Sequence, residues 1–167
     1  MQNHFDLFQL PQQFSLDLGK LDAAYREVQS KVHPDKFVRA SDAEKRVAMQ
    51  WATRANEAYQ TLKKPLKRAA YLCQLHGMDL QADSNTAMPT TFLMQQMEWR
   101  EALDDARHTK DVAAFEALEE QVRQALKSEL NAAGAALDSG DFVLASEIIR
   151  ACMFLEKFLA DIVAAEG

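Results

Sequence analysis

Apolar residues recur at three- and four-residue spacing along most of the chain, and the places where that spacing fails divide it into elements. Leu18, Leu21, Tyr25, Val28 and Val32 follow the period of one helix face. The face is expected to be core. At His33-Pro34 the pattern stops, because proline lacks a backbone donor and drives the preceding residue toward extended geometry. A second long helix is expected from about Asp42, where Ser41-Asp42-Ala43-Glu44 forms a capping box, and its apolar face is Val47, Trp51, Ala55, Ala58 and Leu62. Two antiparallel helices joined at the Lys31-to-Phe37 corner follow. Ahead of them, Phe5, Leu7, Phe8 and Leu10 suit a short apolar helix too small to stand alone, and Asp17 is placed to cap the next helix. Behind them, Pro65 opens a fourth helix that Gly77 ends.

Residues 77–89 carry turn formers without helical period and mark a domain boundary. Three further helices are expected over 90–107, 111–137 and 141–164, the last two joined by the short turn Asp138-Ser139-Gly140-Asp141. Val112, Phe115, Leu118, Val122 and Leu126 face inward from one, and Ile148, Cys152, Leu155, Leu159 and Ile162 from the other. With few glycines and no sustained alternation, the fold class is all-α.

Charge sharpens the division. Residues 1–75 hold 12 Lys and Arg against 8 Asp and Glu, whereas residues 76–167 hold 7 against 17. Two units with different partners are implied. The excess in the first is mild and its cations are interleaved with carboxylates, which argues against nucleic acid. Cys73 and Cys152 are the only cysteines, both on apolar helical positions and in no C-x-x-C pair, so each reads as a small buried hydrophobe, not as part of a disulfide framework or a metal site. No apolar run approaches the length of a membrane span and no leader pattern opens the chain. A cytoplasmic protein, with no cofactor and no membrane partner, is expected.

Two places carry candidate chemistry. At the corner, His33 and Asp35 stand on a turn stiffened by Pro34, flanked by Arg26, Lys31 and Lys36. A catalytic pair is unsupported, because no nucleophile accompanies it and His4, His76 and His108 lack metal-site company. The cations suit an acidic protein surface, and Asp35 can pair with an arginine at little ordering cost. Farther on, Phe92, Gln96, Trp99, Leu103 and Ala106 fall on one side of the 90–107 helix, and Met94, Met97, Glu98, Glu101 and Asp105 on the other. Three carboxylates are too costly to bury, so that side is expected at the surface, where flexible thioethers and an acidic rim suit a basic partner.

The run Tyr25-Arg26 to Lys31, His33-Pro34-Asp35-Lys36, Asn56-Glu57-Ala58-Tyr59-Gln60-Thr61-Leu62, Pro65, Arg68 and Tyr71 resembles a J-domain over about residues 3–76. Val32 departs from it, since an aromatic residue is common there, and Ser30 leaves one cation fewer. The resemblance implies that His33, Pro34, Asp35, Arg26, Lys31 and Lys36 dock on a DnaK-type ATPase chaperone and stimulate its ATP hydrolysis. The protein itself is then not an enzyme. With Pro65-x-x-Arg68-Ala69-x-Tyr71-Leu72 and Phe92-Leu93-Met94-x-Gln96-Met97-Glu98-x-Arg100-Glu101 added, the whole chain resembles the HscB family of bacterial type.

That family implies an L-shaped protein with a J-domain over 1–76, a linker over 77–89 and a three-helix bundle over 90–167. It also implies two partners, the chaperone HscA and the iron–sulfur scaffold IscU. The scaffold-binding residues would be Leu93, Met94, Met97, Glu98, Glu101, Asp105 and, from the last helix, Phe154. Met97 and Asp105 replace the usual leucine and glutamate and keep their character. A J-protein serving a different client, or a helical regulator unrelated to chaperones, are the alternatives.

Overall fold

The computed structural model describes residues 2–80 and 88–167. Every regular element among them is helical: α1 (His4–Leu7), α2 (Leu18–Val32), a 3-10 turn (Pro34–Phe37), α3 (Asp42–Lys63), α4 (Pro65–Leu75), α5 (Thr90–Thr109), α6 (Val112–Asp138) and α7 (Phe142–Glu166). The chain divides into two compact units, Met1–Leu72 and Cys73–Gly167, the division falling within α4. Of the 77–89 stretch expected to lack helical period, residues 81–87 lie outside the described ones.

In the first unit, α2 and α3 form a hairpin. Tyr25 bonds to Asn56, and the Tyr59 hydroxyl donates to Asp22 Oδ1 at 2.7 Å. Earlier residues of one helix thus meet later residues of the other, the antiparallel arrangement. The Tyr25 and Tyr59 rings stack with centroids 4.1 Å apart. α1 closes the base with Phe5 and Phe8 buried, and a capping box between Asn3 and Asp6 holds it despite its single turn. Buried Leu21, Ala55, Ala58, Leu62, Leu66, Ala69 and Leu72 complete the core.

Three apolar positions of this hairpin depart from the sequence reading. Leu18, Val47 and Trp51 are exposed, the last two at 52% and 37%. Leu18 is the first residue of α2, where the helix has only begun. Val47 and Trp51 lie toward the corner, where the cleft they line is walled from outside α3 by Val32 and Phe37. The cap of α3 is also looser than expected: the Glu44 amide donates to Ser41 Oγ at 3.2 Å, but the return contact runs from the serine hydroxyl to the Glu44 carboxylate.

In the second unit, α5, α6 and α7 pack around Trp99, Leu103, Ala106, Phe115, Leu118, Val122, Leu155, Phe158 and Ile162. Asp111 and Asp141 cap α6 and α7 through their side chains. The α6–α7 turn closes as a Schellman motif, with Gly140 at φ 81°, its amide on the Leu137 carbonyl and the Asp141 amide on that of Ala136. Val112, expected inside, is exposed at the first position of α6. Along α7 the buried line runs Ile149, Cys152, Leu155, Phe158, Ile162, so Ile149 and Phe158 take the places expected for the half-buried Ile148 and Leu159. This helix is apolar nearly all round, and periodicity alone leaves its rotation open by one residue.

Candidate partner-binding surfaces

The corner is built by its own backbone. α2 ends at Val32, and His33 is extended (φ −60°, ψ 136°), as a residue before proline must be. Pro34 then opens the 3-10 turn at a position where no amide is needed. His33 caps that turn, its Nδ1 accepting from the Asp35 amide at 3.2 Å. A neutral imidazole accepting at Nδ1 carries its proton on Nε2. The Asp35 carboxylate lies 3.6 Å from the same Nδ1 and is 88% exposed.

Around it, Arg26, Lys31 and Lys36 are all exposed, with Lys31 Nζ 3.2 Å from Glu27 Oε1. Of the six residues expected at this site, Lys31, His33, Pro34, Asp35 and Lys36 occupy the end of α2 and the turn that follows, and Arg26 lies mid-way along α2. His33 thus caps the turn while its side chain stays largely exposed.

On α5, Leu93, Met94, Met97, Glu98, Glu101 and Asp105 are exposed, Met94 and Met97 at 58% and 67%. Trp99, Leu103 and Ala106 are buried on the other side, with Phe92 and Gln96 half-buried. The division of faces matches the expected one. Phe154 of α7 is half-buried and meets α5 through Phe92, edge-on at 6.0 Å between centroids.

Arg100 stands in the sequence motif of this helix but was given no role from sequence. Its guanidinium carbon stands 5.7 Å from the Phe154 ring centroid and 5.3 Å from that of Phe158, clamping the pair from outside. Only the juxtaposition of α5 and α7 reveals it. The surface combines aliphatic side chains, thioethers and carboxylates, with the Phe154 ring held beside it.

Neither cysteine belongs to these surfaces. Both are buried, and burial pushes the Cys73 thiol above its usual range and that of Cys152 to about 12, with Glu129 and Glu156 adding to the latter. Among the described residues, no helix is long and apolar enough to cross a membrane.

The chain is 58% identical over 160 residues to a co-chaperone protein HscB homolog of Burkholderia mallei, covering 96% of this chain and 91% of that protein. It belongs to the HscB family of co-chaperones. A homolog from Paraburkholderia xenovorans is 55% identical over the same length. Residues 88–163 match the model described as the HSCB C-terminal oligomerisation domain. Two solved HscB structures share the fold. Chaperone HscB from Vibrio cholerae aligns with TM-score 0.83 and 34% identity over 99% of this chain and 98% of its own. Human co-chaperone protein HscB aligns with TM-score 0.90 and 30% identity over 98% of this chain and 82% of its own. The HscB fold, all-helical with a J-domain followed by a three-helix bundle, is the fold of this chain.

Proposed function

We propose that this HscB-family protein stimulates the ATPase of an HscA or DnaK-type chaperone and delivers an IscU-type scaffold to it, in support of iron–sulfur cluster assembly. The observation that carries the reading is the exposed Asp35 carboxylate on a capped, proline-stiffened turn next to Lys36, following a helix whose exposed cations include Arg26 and Lys31. A carboxylate so placed forms a charge-assisted pair with a partner arginine while losing little freedom. The cations steer the acidic partner in. Leu93, Met94, Met97, Glu98, Glu101 and Asp105, with Phe154, form the scaffold-binding surface, where thioethers adapt to an apolar patch and carboxylates orient a basic rim. The linker and domain limits are taken as 77–89 between a J-domain and the bundle, and the setting as the cytoplasm. The protein catalyses no reaction of its own.

His33→Gln tests the first site. It should leave helicity and scaffold binding intact and abolish stimulation of a purified HscA-type ATPase; retained stimulation would sink the chaperone reading. A second reading, self-association through the bundle, is favoured only by the description of the matching C-terminal model. Sedimentation across a concentration series separates it from scaffold binding.

A further inference from the structure

Four methionines among the described residues are exposed: Met49 at 71%, Met94 at 58%, Met97 at 67% and Met153 at 39%. Met94 and Met97 stand three residues apart on α5, side by side on one helix face in the company of exposed Leu93, Glu98 and Glu101. They are the thioethers of the scaffold-binding surface. A sulfur open to solvent is open to dissolved oxidants as well. The two thiols compete poorly for such oxidants, because Cys73 and Cys152 are buried and burial holds both protonated, the form that peroxide attacks slowly. Met78 and Met88 are half-buried, and Met88 Sδ accepts from Gln96 Nε2 at 3.9 Å. Oxidisable sulfur is thus concentrated at the surface, with two of the exposed thioethers on one face.

We propose that Met94 and Met97 form a modification site, at which a hydroperoxide converts both thioethers to sulfoxides and so weakens binding of the scaffold; the proposal rests on the scaffold reading above. The step balances with hydrogen peroxide as co-reactant. A sulfur lone pair attacks one peroxide oxygen, an S–O bond forms as the O–O bond breaks, and the proton of the transferred oxygen passes to the departing hydroxide, which leaves as water. Sulfur is oxidised by two electrons and the peroxide reduced by two. The product carries a polar acceptor oxygen where a soft apolar group stood. Its own face offers little to satisfy that oxygen: Leu93 has no side-chain donor, and ionised Glu98 and Glu101 only accept. Arg100, the cation nearest in sequence, holds its guanidinium over the Phe154 and Phe158 rings. An apolar partner patch closing over the sulfoxides strands their oxygens, and the adaptable packing of the thioethers is lost. The bundle core is untouched, because both side chains stand outside it.

The test uses the full chain treated with hydrogen peroxide, freed of oxidant, and then titrated calorimetrically with a purified IscU-type scaffold. Peptide mass spectrometry should find one added oxygen on Met94 and on Met97 ahead of Met78 and Met88, with the helical signal unaltered. Scaffold affinity should fall by about tenfold or more, the scale of one or two lost anchors. Treatment with methionine sulfoxide reductases of both types, one for each epimer, should restore it. Met49→Leu with Met153→Leu removes the other two exposed thioethers and should lose affinity on peroxide treatment as wild type does. Met94→Leu with Met97→Leu, compared with itself before and after treatment, should hold the affinity it starts with.

Unaltered scaffold affinity in wild type carrying both sulfoxides would overturn the site while leaving the scaffold surface standing. A loss that the reductases do not reverse, or that Met49→Leu with Met153→Leu escapes, would place the sensitive group elsewhere and overturn the proposal. A peroxide-induced loss in Met94→Leu with Met97→Leu as large as in wild type would do the same. No scaffold binding by untreated wild type would sink the scaffold reading and the modification site with it.

Discussion

Arg68 donates from Nη1 to the carbonyl of Leu62 at 2.7 Å, tying the last turn of α3 to the start of α4. Its Nε also donates to the Phe14 carbonyl at 2.8 Å, and its guanidinium carbon lies 4.9 Å from the Phe14 ring centroid. At 6% exposure it is a buried charge held by two backbone acceptors and a ring, and burial pulls its pKa below the usual guanidinium value. Arg68→Met should cost about 2–4 kcal/mol, because both carbonyls lose a charged donor. Arg68→Lys should recover only part of this, since one ammonium cannot reproduce the fork. Urea unfolding followed by circular dichroism measures both.

His4 makes the α1 anchor sensitive to acid. Its ring stacks on Tyr71 with centroids 4.4 Å apart, and its backbone amide donates to the Tyr71 hydroxyl at 3.0 Å. Burial lowers its pKa below 6.5, against an opposing pull from Glu57 and with a smaller push from Arg54. The folded state therefore binds the proton less readily than the unfolded chain. The contribution of neutral His4 is complete above the unfolded pKa, declines as pH falls below about 6.5, and levels off below the folded pKa. His4→Phe should show less of this acid-side decline than wild type in unfolding measurements between pH 7.5 and 5, conditions chosen to bracket about the ordinary histidine range.

Lys110 occupies a position that favours glycine. It lies in the left-handed region (φ 53°, ψ 38°) just past α5, where the Asp111 amide reaches the Ala106 carbonyl at 3.3 Å. A side chain there costs roughly 1 kcal/mol, part of which glycine returns through its freer unfolded chain. Lys110→Gly should raise stability by about 0.5 kcal/mol with no change in the helical signal. A thermal midpoint below that of wild type would contradict it.

For the bundle surface, Met97→Ala combined with Glu101→Ala should weaken scaffold binding by roughly tenfold to a hundredfold, the scale of one or two anchors. Both residues are exposed, so stability should stay within about 0.5 kcal/mol of wild type. Basal chaperone stimulation should be unchanged. Isothermal titration against an IscU-type scaffold and an ATPase assay without scaffold provide the pair of readings, and an equal loss in both would argue against separate sites.

Much of this architecture is written in local chemistry. Asp17, Ser41, Asp111 and Asp141 start helices where their side chains can take up orphan amides, and Pro34 and Gly77 end or redirect them. The acidic, methionine-bearing side of α5 was legible because three carboxylates cannot be buried without partners. Other features depend on packing. The Asn3–Asp6 capping box stabilises too short a helix to show as a period, and Lys110 supplies a left-handed cap without the usual glycine. Val47 and Trp51 carry the period of a core face, but whether a face is covered depends on what opposes it. Arg100 joins Phe154 and Phe158 only after α5 and α7 have met.

The burial of the hairpin is uneven along its length, and that has a dynamic consequence. Phe5, Leu21, Ala55, Ala58 and Leu62 are sealed toward its base, whereas toward the corner Val28 and Val32 are half-buried and Ala48 is the one buried residue in the first two turns of α3. Fraying at that end sacrifices little apolar contact, so amide exchange should be faster around residues 28–32 and 42–48 than around 55–62. A partner that closes over the corner must also quiet this fraying, a cost deducted from the affinity of the complex and recovered when it dissociates. The hairpin is therefore graded from a fixed root to a readily opened tip.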